Sequence, residues 1–425
     1  MKIINLKSEQ KDNLFQVGAT VIWENRDRAP QEVYIATTKE FAQDLSCNPH
    51  SFLIACTIVA FYYGEKRVFI DAEICPQLLE NLQTAMAMLK VWYKRSDRSI
   101  IPIEAKIKTT VPTPTTPKQA SIFFTGGIDT LATLRLNRIN YPLEHPRSIK
   151  DGLFIYGFSN TTLENYEKAY KSFDEIKKDA GITLIPVYTN LYAFVKDLDV
   201  EQFGIEFWKD YYTSAALSAV AHAFSSRLAS ISVSSSDEIA YLQPWGTHPL
   251  LDTLYSSYDF TIRHEYIALS RFTKTKLVAE WDLALQKLRV CDQLSLPPGY
   301  LNCGECPKCV ATMAQLAALG MLEKATTFPA NDISAEMILQ KSNIQHFDEE
   351  AYYLDLVELF EQQNRTDLVI SIQRLSRRFR SKELIKNIDK KILGGAIYHA
   401  YSKIPKPKSV KKNRTLDKIT QTKLA

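Results

Sequence analysis

The chain has 425 residues, 45% of them hydrophobic and 24% charged, with a formal net charge of +4, a make-up that fits two or three globular domains around a buried core. No apolar run approaches the ~20 residues of a membrane-spanning helix, and Met1-Lys2-Ile3-Ile4-Asn5 reads without a secretory leader, so a cytoplasmic protein is expected. The near-neutral total hides an asymmetry: from Arg365 onward 17 Lys and Arg face 4 Asp and Glu, so an anionic surface meets the C-terminal end first.

Residues 1–110 read as a small β-rich α+β domain. Val17 to Trp23, Val33 to Thr37 and Arg67 to Ile70 have strand patterns, and Pro76 to Trp92 is helical. Ser51 to Tyr63 is apolar almost throughout, and its periodicity does not choose between helix and strand. Cys47, Cys56 and Cys75 lack metal-ligand spacing and read as buried structural thiols, with His50 a packing or surface residue. Repeated prolines in Thr109 to Lys118 make an extended connector, and a domain boundary is expected at residues 111–118.

From residue 119 to about 290 strand and helix patterns alternate, which predicts a doubly wound parallel α/β sheet. The apolar run Ile122, Phe123, Phe124 stops at Gly126-Gly127, and beyond Asp129 the pattern turns helical, with Leu131, Leu134 and Leu136 as inward positions. Paired glycines bring bare N–H groups close to a ligand at the positive end of a helix, an anion cradle. Neither G-x-x-x-x-G-K-[ST] nor G-x-G-x-x-G occurs. Further strands are expected at Leu153 to Tyr156, Thr183 to Tyr188 and Ile231 to Ser234, and helices at Leu163 to Asp179 and Phe207 to Leu228. Ligands of open α/β sheets sit beyond the carboxyl ends of the strands, so Thr125 to Thr130, Gly157 to Asn160, Thr189-Asn190 and Ser234 to Asp237 should border one crevice. His248 follows in a loop with Trp245 and Asp252, and for it a structural and a catalytic role stand level. Arg271, Lys274 and Lys276 open a helix, the end where cations are least favoured, which points to a phosphate or acid nearby.

Cys303-Gly-Glu-Cys306-Pro-Lys-Cys309, with Cys291 upstream and eleven residues between it and Cys303, has the spacing of a closed tetrahedral zinc site of structural type. A bacterial ferredoxin run needs one more cysteine where Met313 stands. A helix at Val310 to Leu319 is capped by Gly320, and helical patterns at Ile333 to Gln340, Glu349 to Gln363 and Leu368 to Phe379 make a helical extension over 326–403. Residues 404–425, with seven Lys or Arg, read as a disordered basic tail open to nucleic acid or an acidic partner.

Thr125-Gly126-Gly127-Ile128-Asp129-Thr130 resembles the Ser-Gly-Gly-x-Asp-Ser loop of the PP-loop (N-type) ATP pyrophosphatase superfamily, with threonine for both serines. A loop of this kind followed by one cysteine and then Cys-Gly-x-Cys-x-x-Cys is similar to the 7-cyano-7-deazaguanine synthase branch, over residues 119–325. The Cys291 to Cys303 gap is longer than that branch suggests, and the flanking regions are unmatched. The resemblance implies a PP-loop (HUP-like) fold, with ATP, Mg²⁺ and zinc as cofactors. It implies cleavage of ATP to AMP and pyrophosphate, activating an unidentified carboxylate or carbonyl substrate for ammonia or another nitrogen nucleophile. Thr125, Gly126, Gly127, Ile128 and Thr130 would then hold the departing pyrophosphate and Asp129 would orient Mg²⁺. Gly157, Phe158 and Ser159 would hold adenine, and Lys274 or Arg271 would meet the α-phosphate or the substrate acid. Ser235, His248 and Arg271 are the substrate-binding candidates, and Cys291, Cys303, Cys306 and Cys309 the zinc ligands. An RNA-modifying enzyme of the same superfamily, by sulfur transfer or lysidine-type ligation, and a non-catalytic ATP-binding module are the alternatives. The first domain is open to presenting a protein substrate or to forming a homodimer.

Overall fold

The structure, a computed structural model, describes residues 1–110, 117–158, 161–196 and 206–392. The basic tail, Ser159 and most of the connector lie outside the described residues. Two compact units are formed: Met1–Gly304 with Leu319–Asn331, and Glu305–Ala318 with Asp332 onward.

In the first unit ten strands make one sheet: β1 (Lys2–Lys11), β2 (Leu14–Ile22), β3 (Gln31–Thr38), β4 (Val68–Ile74), β5 (Ile103–Ile107), β6 (Gln119–Phe123), β7 (Ile149–Tyr156), β8 (Thr183–Thr189), β9 (Leu228–Ser234) and β10 (Thr261–Glu265). Their order is β10-β9-β6-β7-β8-β3-β2-β1-β4-β5. From β10 to β8 every pair is parallel. β3 then joins β8 antiparallel, with Ile35 to Thr37 opposite Val187 to Thr189. β3, β2 and β1 are antiparallel neighbours, and β4 and β5 complete the sheet in parallel. The fold is therefore α/β with a large, mostly parallel sheet. The connector at 111–118 does not separate two sheets or two cores: Val17, Ile35, Leu53 and Ile70 belong to the same buried cluster as Phe123, Leu153, Val187 and Ile231. Pairing with β3 covers an edge of β8 that the parallel half alone would leave open.

The undecided stretch is α1 (Pro49–Tyr63), with every residue from His50 to Tyr62 buried. A helix surrounded by protein needs no polar face, which is why no periodicity marks it. Its ends are ordinary: Asn48 accepts from the His50 amide, Pro49 opens the first turn, and Gly64 at φ +78 closes the last. α2 (Pro76–Trp92) follows expectation. In α3 (Ile128–Asn140) Leu131 and Leu134 are buried and Leu136 is half-buried. The single helix expected from Leu163 to Asp179 is two, α4 (Leu163–Ser172) and α5 (Asp174–Ala180), divided at the fully buried Phe173. After α6 (Leu191–Lys196), the long helix expected from Phe207 opens as a π-helical turn, Trp208–Tyr212, and continues as α7 (Thr213–Ala223). It stops there because Leu228 already begins β9. α8 (Pro249–Asp252), α9 (Arg271–Ala279) and α10 (Asp282–Gln286) complete the unit.

The second unit is helical: α11 (Pro307–Ala318), α12 (Ala335–Lys341), α13 (Phe347–Leu354), α14 (Val357–Gln362) and α15 (Thr366–Ile392). α12, α13 and α14 all pack on α15, around Ile338, Tyr353, Phe360, Leu368, Ile372 and Phe379. This unit starts with α11 rather than at residue 326, and the helix expected from Glu349 to Gln363 is two. Among the described residues no helix is long and apolar enough to cross a membrane.

Candidate functional site

Counted from β6, the parallel strands stand in the order 3-2-1-4-5, so the winding reverses between β6 and β9. In sheets of this kind the crevice beyond that reversal is where ligands bind. The glycine pair leaves β6 at this point. Phe124 extends the β6–β7 pairing through its amide to Leu153 O (2.9 Å), and the chain then turns at Gly126 with φ +74. A β-carbon on Gly126 would lie 2.2 Å from Cζ of Phe173, so backbone and ring together demand glycine. The Gly127 amide donates to Thr125 Oγ1 (3.2 Å), Thr130 Oγ1 donates to Gly127 O (3.1 Å), and the two hydroxyl oxygens are 3.3 Å apart. Gly127 is the N-cap of α3 and brings no side chain to its first-turn amides. Those amides remain available to an anion. From outside, the Arg289 amide pins Gly126 O at 2.8 Å.

Two cations reach the loop from α9, which packs against α3. Arg271 Nη1 is 2.5 Å from Asp129 Oδ2, and Lys274 Nζ is 3.8 Å from Oδ1. Lys274 is 2% exposed, and its ammonium donates to Ser235 O at 2.6 Å. Burial pulls its pKa down from the usual lysine value, and the Asp129 carboxylate opposes that shift. Asp129 Oδ1 is buried without a hydrogen bond. Cations at a helix start work against its dipole, so Arg271 and Lys274 are held there by Asp129 and the Ser235 carbonyl. Lys276 takes no part in that pairing, its ammonium lying over the Phe272 ring at 4.5 Å.

The remaining rim candidates are occupied differently. Ser235 turns its hydroxyl onto Asp237 O (2.7 Å) and gives its amide to Glu265 O (3.1 Å), so it serves the Lys274 contact through its carbonyl. Gly157 sits at φ +107, and a β-carbon there would be 2.0 Å from Thr189 O, so close approach of strand ends explains this glycine. The Phe158 ring packs on Trp208. Thr189 and Asn190 are committed to β3: Thr189 Oγ1 donates to Tyr34 O (2.6 Å), and the Asn190 amide bridges Tyr34 N and Glu32 O. His248 caps α8 through Nδ1 and packs on Trp92. Its amide donates to Asp252 Oδ1, whose other oxygen holds His264 Nδ1 at 2.7 Å. Burial lowers the His248 pKa, which suits a neutral cap.

The four cysteines come together, with their sulfurs all within 4.8 Å of one another; Cys291 and Cys309 are buried, Cys303 and Cys306 half-buried. Four thiolates around zinc at ~2.3 Å stand roughly 3.8 Å apart, so the cluster needs only a small contraction to close on a metal such as zinc. Gly304 makes the turn at φ +76 against Pro329, and Pro307 starts α11.

Asn302, fully buried, is the residue that sequence reasoning missed. Its Oδ1 accepts from the amides of Val290 (2.8 Å) and Cys291 (3.2 Å), and its Nδ2 donates to Leu288 O (2.8 Å) and Thr327 Oγ1 (3.1 Å). One side chain thus ties the Cys291 segment to the approach to Cys303. The same segment carries Arg289, so a short backbone path links the cysteine element to the glycine loop. An asparagine beside the first cysteine of a knuckle was the available signal, but no motif marks it.

No family model, curated protein or solved structure matches the chain.

Proposed function

We propose that the chain is an AMP-forming ATP pyrophosphatase-type ligase, similar to 7-cyano-7-deazaguanine synthase, that activates a carboxylate or carbonyl oxygen for a nitrogen nucleophile. The observation that carries this reading is the Thr125 to Thr130 loop at the reversal of the sheet, with Arg271 and Lys274 gathered at Asp129. ATP would place its β- and γ-phosphates against the open amides of α3 and the two threonine hydroxyls. Asp129, with an oxygen free of hydrogen bonds, would supply a ligand to Mg²⁺, whose contribution is charge neutralisation of the phosphates. The substrate oxygen attacks the α-phosphorus, the bond from that phosphorus to the β-phosphate bridging oxygen breaks, and pyrophosphate leaves with the electron pair. A nitrogen nucleophile such as ammonia then displaces AMP to give an amide. Arg271 and Lys274 would stabilise charge growing on the phosphates. The cysteine cluster would hold a structural zinc, leaving the metal no open position for catalysis.

The test is AMP and pyrophosphate release from ATP and Mg²⁺ by wild type and Asp129→Ala, across 7-carboxy-7-deazaguanine, other small acids, tRNA and cell lysate. Substrate-dependent AMP formation that is lost in Asp129→Ala is expected. Formation of ADP and phosphate, or ATP binding without turnover under every condition, would overturn the proposal in favour of another nucleotide-dependent activity or a binding module.

A further inference from the structure

β5 (Ile103–Ile107) ends the ten-stranded order, and among the described residues no strand pairs with its outer side. On its inner side Pro102 O accepts from the Val68 amide (3.0 Å), and the Lys108 amide donates to Ile74 O (2.9 Å). Main-chain groups of successive strand residues point to alternate sides. Positions 102, 104, 106 and 108 therefore face β4, and the amides and carbonyls of Ile103, Ala105 and Ile107 face outward. The side chains of Glu104 and Lys106 share the solvent face, where they are exposed and ion-paired to Arg67 (2.6 Å) and Asp71 (2.8 Å) of their own chain. Ile103 and Ala105 lie on the opposite face and pack on the core, while Ile107, on that same face, is 53% exposed.

A lysine on an edge strand ordinarily protects it from pairing, but Ile-Glu-Ala-Lys-Ile is complementary to itself. Antiparallel pairing of two copies about Ala105 sets each Glu104 opposite the second copy's Lys106, and each Ile103 opposite the second copy's Ile107. Ala105 with Ala105 and Ile103 with Ile107 are then hydrogen-bonded pairs, made by the outward main-chain groups. Glu104 and Lys106 form the non-hydrogen-bonded pair, in which side chains come closest. Charge alternates across each junction, through Arg67, Glu104, the second copy's Lys106 and its Asp71. Centring the pairing on Glu104 or on Lys106 instead sets that residue against its own like charge. The opposite edge lacks this property, because pairing two copies of β10 about Arg263 sets arginine against arginine. We propose that the chain forms a twofold dimer by antiparallel pairing of β5 with the β5 of a second copy, joining the two sheets edge to edge. Such an interface is isologous, so each complementary contact occurs twice.

The test is the mass of the full chain by sedimentation equilibrium, for wild type, Glu104→Lys, Lys106→Glu and an equimolar mixture of the two variants. Wild type is expected at twice the 48.5 kDa of one chain. Either variant meets its own copy with like charges at both junctions, so its dissociation constant should rise about tenfold or more. In the mixture the lysines of one variant meet the glutamates of the other, and mixed dimers should form at concentrations where neither variant self-associates. Both side chains are exposed, and unchanged circular dichroism checks that the fold is kept. A monomeric wild type, variants that each dimerise as wild type does, or a mixture that stays monomeric would overturn the proposal.

Discussion

At Gly126 two costs coincide, a left-handed backbone at φ +74 and a Phe173 ring 2.2 Å from any added β-carbon. Gly299, at φ +88, has nothing within 4 Å. Gly299→Ala should therefore cost about 1 kcal/mol, from the backbone alone, and Gly126→Ala roughly 2 to 4 kcal/mol, with loss of the nucleotide binding that the proposed function requires. Adding Phe173→Leu should recover only the steric part, which chemical denaturation of single and double variants will read. Asn302 is a second position where one side chain does several jobs. Asn302→Leu leaves the Val290 and Cys291 amides without their acceptor, so zinc affinity in a chelator competition should fall about 10- to 100-fold, the usual effect of losing support behind a metal ligand. Thr125, Gly127 and Thr130 were legible at this scale because their hydrogen bonds close within six residues. Asn302 was not, because its partners are spread from Leu288 to Thr327.

Between elements, α1 and α7 meet at two buried histidines whose rings are 5.5 Å apart. His50 Nε2 accepts from the Cys75 amide, and His222 Nε2 contacts Tyr255 O at 2.7 Å. Desolvation pushes His50 down to about 3 and His222 down to about 4. Between those values and 6.5 the unfolded chain binds protons that the folded chain refuses, so stability present at pH 7 is lost as the pH falls. His222→Gln should flatten this dependence by up to about 1.4 kcal/mol per pH unit, measured as urea midpoints at neutral and acidic pH. Burial also explains which elements could be read from the sequence. α1 is covered on every side and carries no periodicity. β5 and β10 are edge strands of five residues, and Thr-Ile-Arg-His-Glu offers one apolar residue where a strand pattern needs two or three. The break between α4 and α5 lies at an apolar Phe173 that looks like a helical position until its ring is seen beneath the glycine loop.

Across the first unit, the antiparallel contact of β3 with β8 makes residues on both sides of the connector one sheet over one core. Residues 1–110 expressed alone should therefore show no cooperative melt, because α1 would lose α7 and β3 would lose β8. A stable, dispersed NMR spectrum from that fragment would contradict this. The sequence by itself determined the parts whose chemistry is local: the glycine–threonine loop, the cysteine spacing, the alternation that makes the sheet mostly parallel, and the basic C-terminal end. Only the tertiary structure decided that the N-terminal strands extend that sheet, that His248 and Asn190 are taken up by structural contacts, and that Arg271 meets Asp129 across 142 residues of chain. The physical reason is that main-chain pairing and ion pairing depend on which surfaces burial brings together, and neither a strand edge nor an arginine carries the identity of its distant partner in its neighbours.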